Sequence, residues 1–62
     1  MAMLSIEPNV KNFDAFYEAL IATHRDLSPA QSQEVNAKLV LLLANHIGDL
    51  DVLKDAMQRA LK

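Results

Sequence analysis

A chain of 62 residues makes one domain at most, and alone it would hide only about 60% of the surface its unfolded form exposes, so an added staple is expected. The absence of cysteine excludes disulfides and thiolate metal centres, which leaves packing or oligomerisation as the available staple. Eight acidic and six basic residues give a formal charge of -2, and Lys11, Arg25, Lys38, Lys54, Arg59 and Lys62 are scattered, so no basic stripe exists to hold a nucleic acid.

The N-terminal run Met1-Ala2-Met3-Leu4 has no basic residue before it, and Glu7 and Pro8 cut it short of a signal-peptide core, so residues 1–11 read as an irregular, untargeted segment of a cytoplasmic protein. A first helix is expected from about 12 to 26. Phe13, Phe16, Tyr17, Leu20, Ile21 and His24 recur at spacings of three and four, Asn12 suits the cap, and Asp14 complements the positive end of the helix dipole. Ala15, Ala19 and Ala22 form a second face of small residues, of the kind that allows close helix approach.

Ser28-Pro29-Ala30-Gln31 carries the sharpest local signal: an N-cap serine, proline at the first helical position, and glutamine placed to close a capping box. These residues open a second helix over 29–47, and the short link around Leu27 predicts an antiparallel hairpin with the first. Gly48 supplies the left-handed residue that ends it, and Asp49 caps a third helix over about 50–61. There Leu50, Leu53, Ala56, Met57, Ala60 and Leu61 share one side, while Asp51, Lys54, Asp55, Gln58 and Arg59 share the other. The pairs Asp55/Arg59 and Glu34/Lys38 fit i, i+4 ion pairs on solvated faces and imply no chemistry. The longest apolar run, Leu39 to Ala44, is far below the ~20 residues a membrane span needs, so no membrane association is expected.

The second helix predicts a partner. At ~100° per residue its polar sector holds only Gln31, Glu34, Lys38 and Asn45. Val35, Leu39, Leu42, Leu43 and Ile47 make one broad apolar face, and Ala37, Val40, Leu41 and Ala44 continue it around the back, interrupted by Gln33 and Asn36. A helix lying on a single core needs a stripe of ~100°, and this one is apolar over more than twice that arc. Each large side chain left in water would forgo about 1.5–3 kcal/mol of burial. A symmetric dimer with the second helices at its centre resolves the surplus, because two-fold symmetry uses one patch twice. The interface candidates are Val35, Leu39, Val40, Leu41, Leu43, Ala44, Ala15 and Ala19. Asn36 and Asn45, if enclosed there, would favour one register.

Residues with latent chemistry have structural explanations. His24 and His46 both lie near helix C-termini, where an imidazolium suits the dipole. In a hairpin they would stand about 25 Å apart, so a shared metal would need two subunits. Asp49 and Asp51 fit a cap and a dipole partner, and Tyr17 fits the aromatic stripe with its hydroxyl at the rim. No serine has a histidine and an acid arranged around it, and no glycine-rich loop exists, so no catalytic, cofactor or metal site is expected and the chain reads as non-enzymatic.

The words Phe16-Tyr17-Glu18-Ala19-Leu20-Ile21, His24-Arg25, Leu27-Ser28, Gln31-Ser32, Asn36-Ala37, Leu39 to Asn45 and Ile47-Gly48-Asp49 resemble a family of very short bacterial proteins classed as a domain of unknown function. The resemblance runs from about Phe13 to Ala60, and the run before Phe13 lacks the Asp-Pro pair associated with that family. It implies a bacterial, stand-alone small protein and transfers no activity.

The expected fold is therefore all-α, a helical hairpin plus a short C-terminal helix, completed by oligomerisation. The expected function is a homo-oligomeric structural or protein-interaction module, a role that fits an accessory to a larger enzyme. A small-ligand or metal-binding bundle using Phe16, Tyr17, His24 or His46 across subunits is the alternative. A helix-turn-helix regulator is disfavoured by the net acidity.

Overall fold

Local signals decide where the helices start. In the computed structural model, which describes residues 3–62, the order is α1 (Phe13–His24), α2 (Pro29–Ile47) and α3 (Leu50–Ala60), with no strand among the described residues. Met1 and Ala2, the start of the untargeted N-terminal run, lie outside the described residues. The Asn12 side chain accepts from the Ala15 amide at 3.0 Å and so opens α1. Within that helix the Phe13 and Phe16 rings meet edge to face, their centroids 5.9 Å apart.

α1 closes two residues before the expected 26. Arg25 is extended and Asp26 enters the left-handed region at φ 65°, which stops the helical ladder, and a bond from the Leu27 amide to the His24 carbonyl tightens the turn. Aspartate tolerates this conformation better than most residues. At α2 the box is complete: Ser28 Oγ accepts from the Gln31 amide at 3.2 Å, and the Ser28 amide donates to Gln31 Oε1 at 2.9 Å. Gly48 terminates α2 at φ 68°, its amide donating to the Ala44 carbonyl, and Asp49 Oδ1 then accepts from the Val52 amide at 3.1 Å to begin α3.

The packing centre sits at the elbow between α2 and α3, the two helices whose backbones approach closely. Val52, 7% exposed, is the buried residue of this elbow, with Leu53, Ala56 and the capping Asp49 half-buried near it. The irregular N-terminal segment completes the cover. Leu4 is half-buried, and Met3 and Leu4 line one shallow depression with Ile47, Asp49 and Val52 and another with Asp51, Val52 and Asp55. Sequence patterning assigns this segment no packing role, since an extended stretch with isolated apolar residues has no helical period to read.

α1 is held more loosely. Leu20, His24 and Leu27 are half-covered on its side, as are Ser32, Val35 and Leu39 on α2, and its backbone does not run close along α2. The molecule is therefore extended, measuring 40 × 25 × 24 Å with a radius of gyration of 13.3 Å, where a compact chain of this length has about 10.6 Å. Its accessible surface is 5811 Å², about 1,800 Å² more than the size law gives for a 6.9 kDa monomer.

Candidate functional site

The polar groups that enter the helix junction come from α1 and α2. Every third or fourth residue of α1 faces one way, which puts Tyr17, Leu20, Ile21 and His24 on the side that meets α2. His24 Nε2 lies 2.9 Å from Asn36 Oδ1, so the imidazole donates through this nitrogen and the amide oxygen accepts. Tyr17, Leu20, Ile21, His24, Arg25 and Asn36 line an open cleft of about 530 Å³. It has an aromatic wall, an amide and one cation at its rim, and no carboxylate among its lining residues. Such a lining can hold a flat polar-edged molecule by stacking and hydrogen bonding.

His46 is exposed in the last turn of α2, apart from this cleft. Because His24 is level with Asn36, ten residues before His46, the two histidines stand about 15 Å apart along the helix axis rather than the 25 Å a flush hairpin would give. The difference arises because α1 is pinned partway along α2 and not at the turn. Either spacing is far beyond the ~2 Å ligand distances of a shared metal within one chain. Among the described residues no group of three metal-ligating side chains converges.

Five further charged groups have structural partners. Asp49 caps α3, Arg59 Nε lies 3.3 Å from Asp55 Oδ2, and Lys38 Nζ lies 3.3 Å from Glu34 Oε1, both ion pairs on exposed surface where they add little.

The larger feature is apolar. Val40, Leu41 and Leu42 are 59%, 70% and 69% exposed. Of the interface candidates, Val35, Leu39 and Ala44 are half-covered by the chain itself, whereas Val40, Leu41, Leu43, Ala15 and Ala19 lie open. The aromatic face of α1 is also largely uncovered at Phe13, Phe16 and Tyr17.

The family model described as protein of unknown function (DUF2783) matches residues 4–62, nearly the whole chain. The chain belongs to that family. No curated protein and no solved structure matches it. The DUF2783 match begins at Leu4, so it takes in the segment that closes over Val52 as well as the three helices.

Two features of this DUF2783 chain escaped sequence reasoning. The His24–Asn36 pair had a faint signal, two polar residues each placed on or beside an apolar stripe, but their register depends on the angle at which α1 leaves the turn. The cover of Val52 by Leu4 joins residues 48 positions apart, and nothing local announces it.

Proposed function

We propose that this protein is a non-enzymatic interaction module that works as a homodimer, with α2 at the dimer centre. The single observation that carries the reading is the open state of Val40 and Leu41 on a chain with about 1,800 Å² of surplus surface. A standard protein interface takes about 800 Å² from each partner, and obligate dimers take more. Two copies joined through α2 would hide part of that surplus without any new element. The aromatic face of α1 then remains for a different protein, which suits an accessory of a larger enzyme.

No described helix is long and apolar enough to cross a membrane. A cytoplasmic setting fits a chain without cysteine, and the family resemblance implies a bacterial source. Scattered basic residues and net acidity argue against nucleic acid as the partner.

Sedimentation equilibrium at micromolar concentration tests the proposal. The expected mass is twice 6.9 kDa. Leu41→Glu, which would place a carboxylate at the edge of the joint, is expected to lower the association constant at least tenfold, or about 1.4 kcal/mol. A clean monomer whose thermal midpoint ignores Leu41→Glu would remove the reading.

The cleft at Tyr17, His24 and Asn36 favours a second reading, a site for a small ligand. Titration with zinc, nickel and copper while following the His24 and His46 ring resonances checks its metal version, and resonances that stay in place end that version.

A further inference from the structure

The exposed face of α2 has a finer pattern than general greasiness. Ala30, Gln33, Ala37, Val40, Ala44 and Ile47 succeed one another at spacings of three and four without a break, which is the spacing of a coiled-coil seam. Alanine recurs at intervals of seven at one seam position, and Gln33, Val40 and Ile47 recur at intervals of seven at the other. Five of the six are exposed and Ala44 is half-covered. This line lies roughly 130° around the helix from Ser32, Val35 and Leu39, three of the four α2 residues the chain half-covers itself. The seam thus stays clear of α1, and at its C-terminal end Ala44 is half-covered and Ile47 borders the depression lined by Met3 and Leu4.

Resting on the dimer reading above, we infer that two copies of this chain join along this seam as an antiparallel pair of α2 helices. The two-fold axis passes between Ala37 and Val40. In that register Ala37 meets Val40 of the partner subunit, Ala30 meets Ile47 of the partner subunit, and Ala44 meets Gln33 of the partner subunit. Each layer sets one small side chain against one larger one, so the helix separation stays even along the seam. A parallel, in-register pair would stack alanine on alanine in three layers and bulky residues on each other in the rest, leaving gaps beside overpacked points. The antiparallel pair also sets the two helix dipoles head to tail. The occupant follows from self-complementarity: a second copy run antiparallel sets a larger side chain against an alanine in every layer, and the chain's surplus of about 1,800 Å² exceeds the ~800 Å² a standard interface takes from each partner.

The chain has no cysteine, so single thiols report without background. Purified Ala30→Cys and Ile47→Cys variants are mixed in equal amounts in a glutathione redox buffer, and the disulfide-linked species are weighed by mass spectrometry. The antiparallel seam predicts the mixed 30–47 species well above the share that random pairing gives. A dimer by sedimentation that yields chiefly 30–30 and 47–47 species overturns the orientation and leaves the dimer reading standing. A chain that sediments as a monomer overturns both, and assigns the face to some other partner. As a control against misfolding, Val40→Glu and Leu42→Glu add the same charge to different faces of α2. With helicity by circular dichroism equal in both, Val40→Glu is expected to weaken association at least about tenfold and Leu42→Glu less than about threefold. Equal effects would sink the seam.

Discussion

Two residues at the ends of α2 hold its boundaries through specific geometry, and their effects separate cleanly. Ser28 exchanges two hydrogen bonds with Gln31, so Ser28→Ala is expected to cost about 1 kcal/mol, read from a urea denaturation midpoint with unchanged slope. Gly48 sits at φ 68°, and a Cβ added there would meet only the Asn45 carbonyl oxygen, at an ordinary 3.7 Å. Space is therefore available and the backbone is the obstacle: Gly48→Ala is expected to destabilise by about 1–2 kcal/mol through the left-handed conformation alone. Asp26 is the mirror case. It already bears the strain of φ 65°, so Asp26→Gly is expected to raise the denaturation midpoint, by an amount near 0.5–1 kcal/mol. A fall would mean that the Asp26 carboxylate contributes more than its backbone costs.

At the scale of elements, the elbow of α2 and α3 and the α1–α2 junction rest on different physics. Val52→Ala removes two methyl groups from the one well-buried site among the described residues and is expected to cost about 1.5–3 kcal/mol. Truncation of Leu4 to Ala uncovers the same site from outside and should lower stability in a manner that is not additive with Val52→Ala, since the two share a cavity lining. A double-mutant cycle with a coupling energy near zero would show that the N-terminal segment does not support the elbow. The α1–α2 junction has a single polar pin in open surroundings. Asn36→Ala removes it, and with both partners accessible to water the loss is expected to stay under about 1 kcal/mol. α1 is accordingly the first element expected to exchange its amide hydrogens, ahead of the amides of α3 near Val52.

For the molecule as a whole, the ratio of surface to mass governs behaviour. A 62-residue chain with a radius of gyration of 13.3 Å and one buried residue among those described has little internal packing to resist unfolding. If a second copy completes the core, stability is inseparable from concentration, and the thermal midpoint is expected to climb as protein is raised from micromolar to millimolar. A midpoint that stays constant over that range would mark a self-sufficient monomer. The apolar face of α3 at Leu50, Met57 and Leu61 is as open as the α2 seam, so a two-helix joint does not exhaust the surface available for contact.

Helix identity and nearly all helix ends were legible in the residues because their causes are local. A serine and a glutamine three apart close a box, a glycine alone accepts a left-handed turn at low strain, and an aspartate at the next position caps the third helix. The excess of hydrocarbon around α2 was legible for the same reason, since a helical period converts spacing directly into angle. The location of the packing centre was not. Leu4 over Val52, and His24 on Asn36 rather than at the turn, depend on the direction in which the chain leaves Arg25 and Asp26 and on contacts between distant segments. Two backbone angles in a four-residue link swing a whole helix by many ångströms, and no periodicity records them, so only the tertiary structure decided which apolar faces this chain covers by itself and which it leaves open.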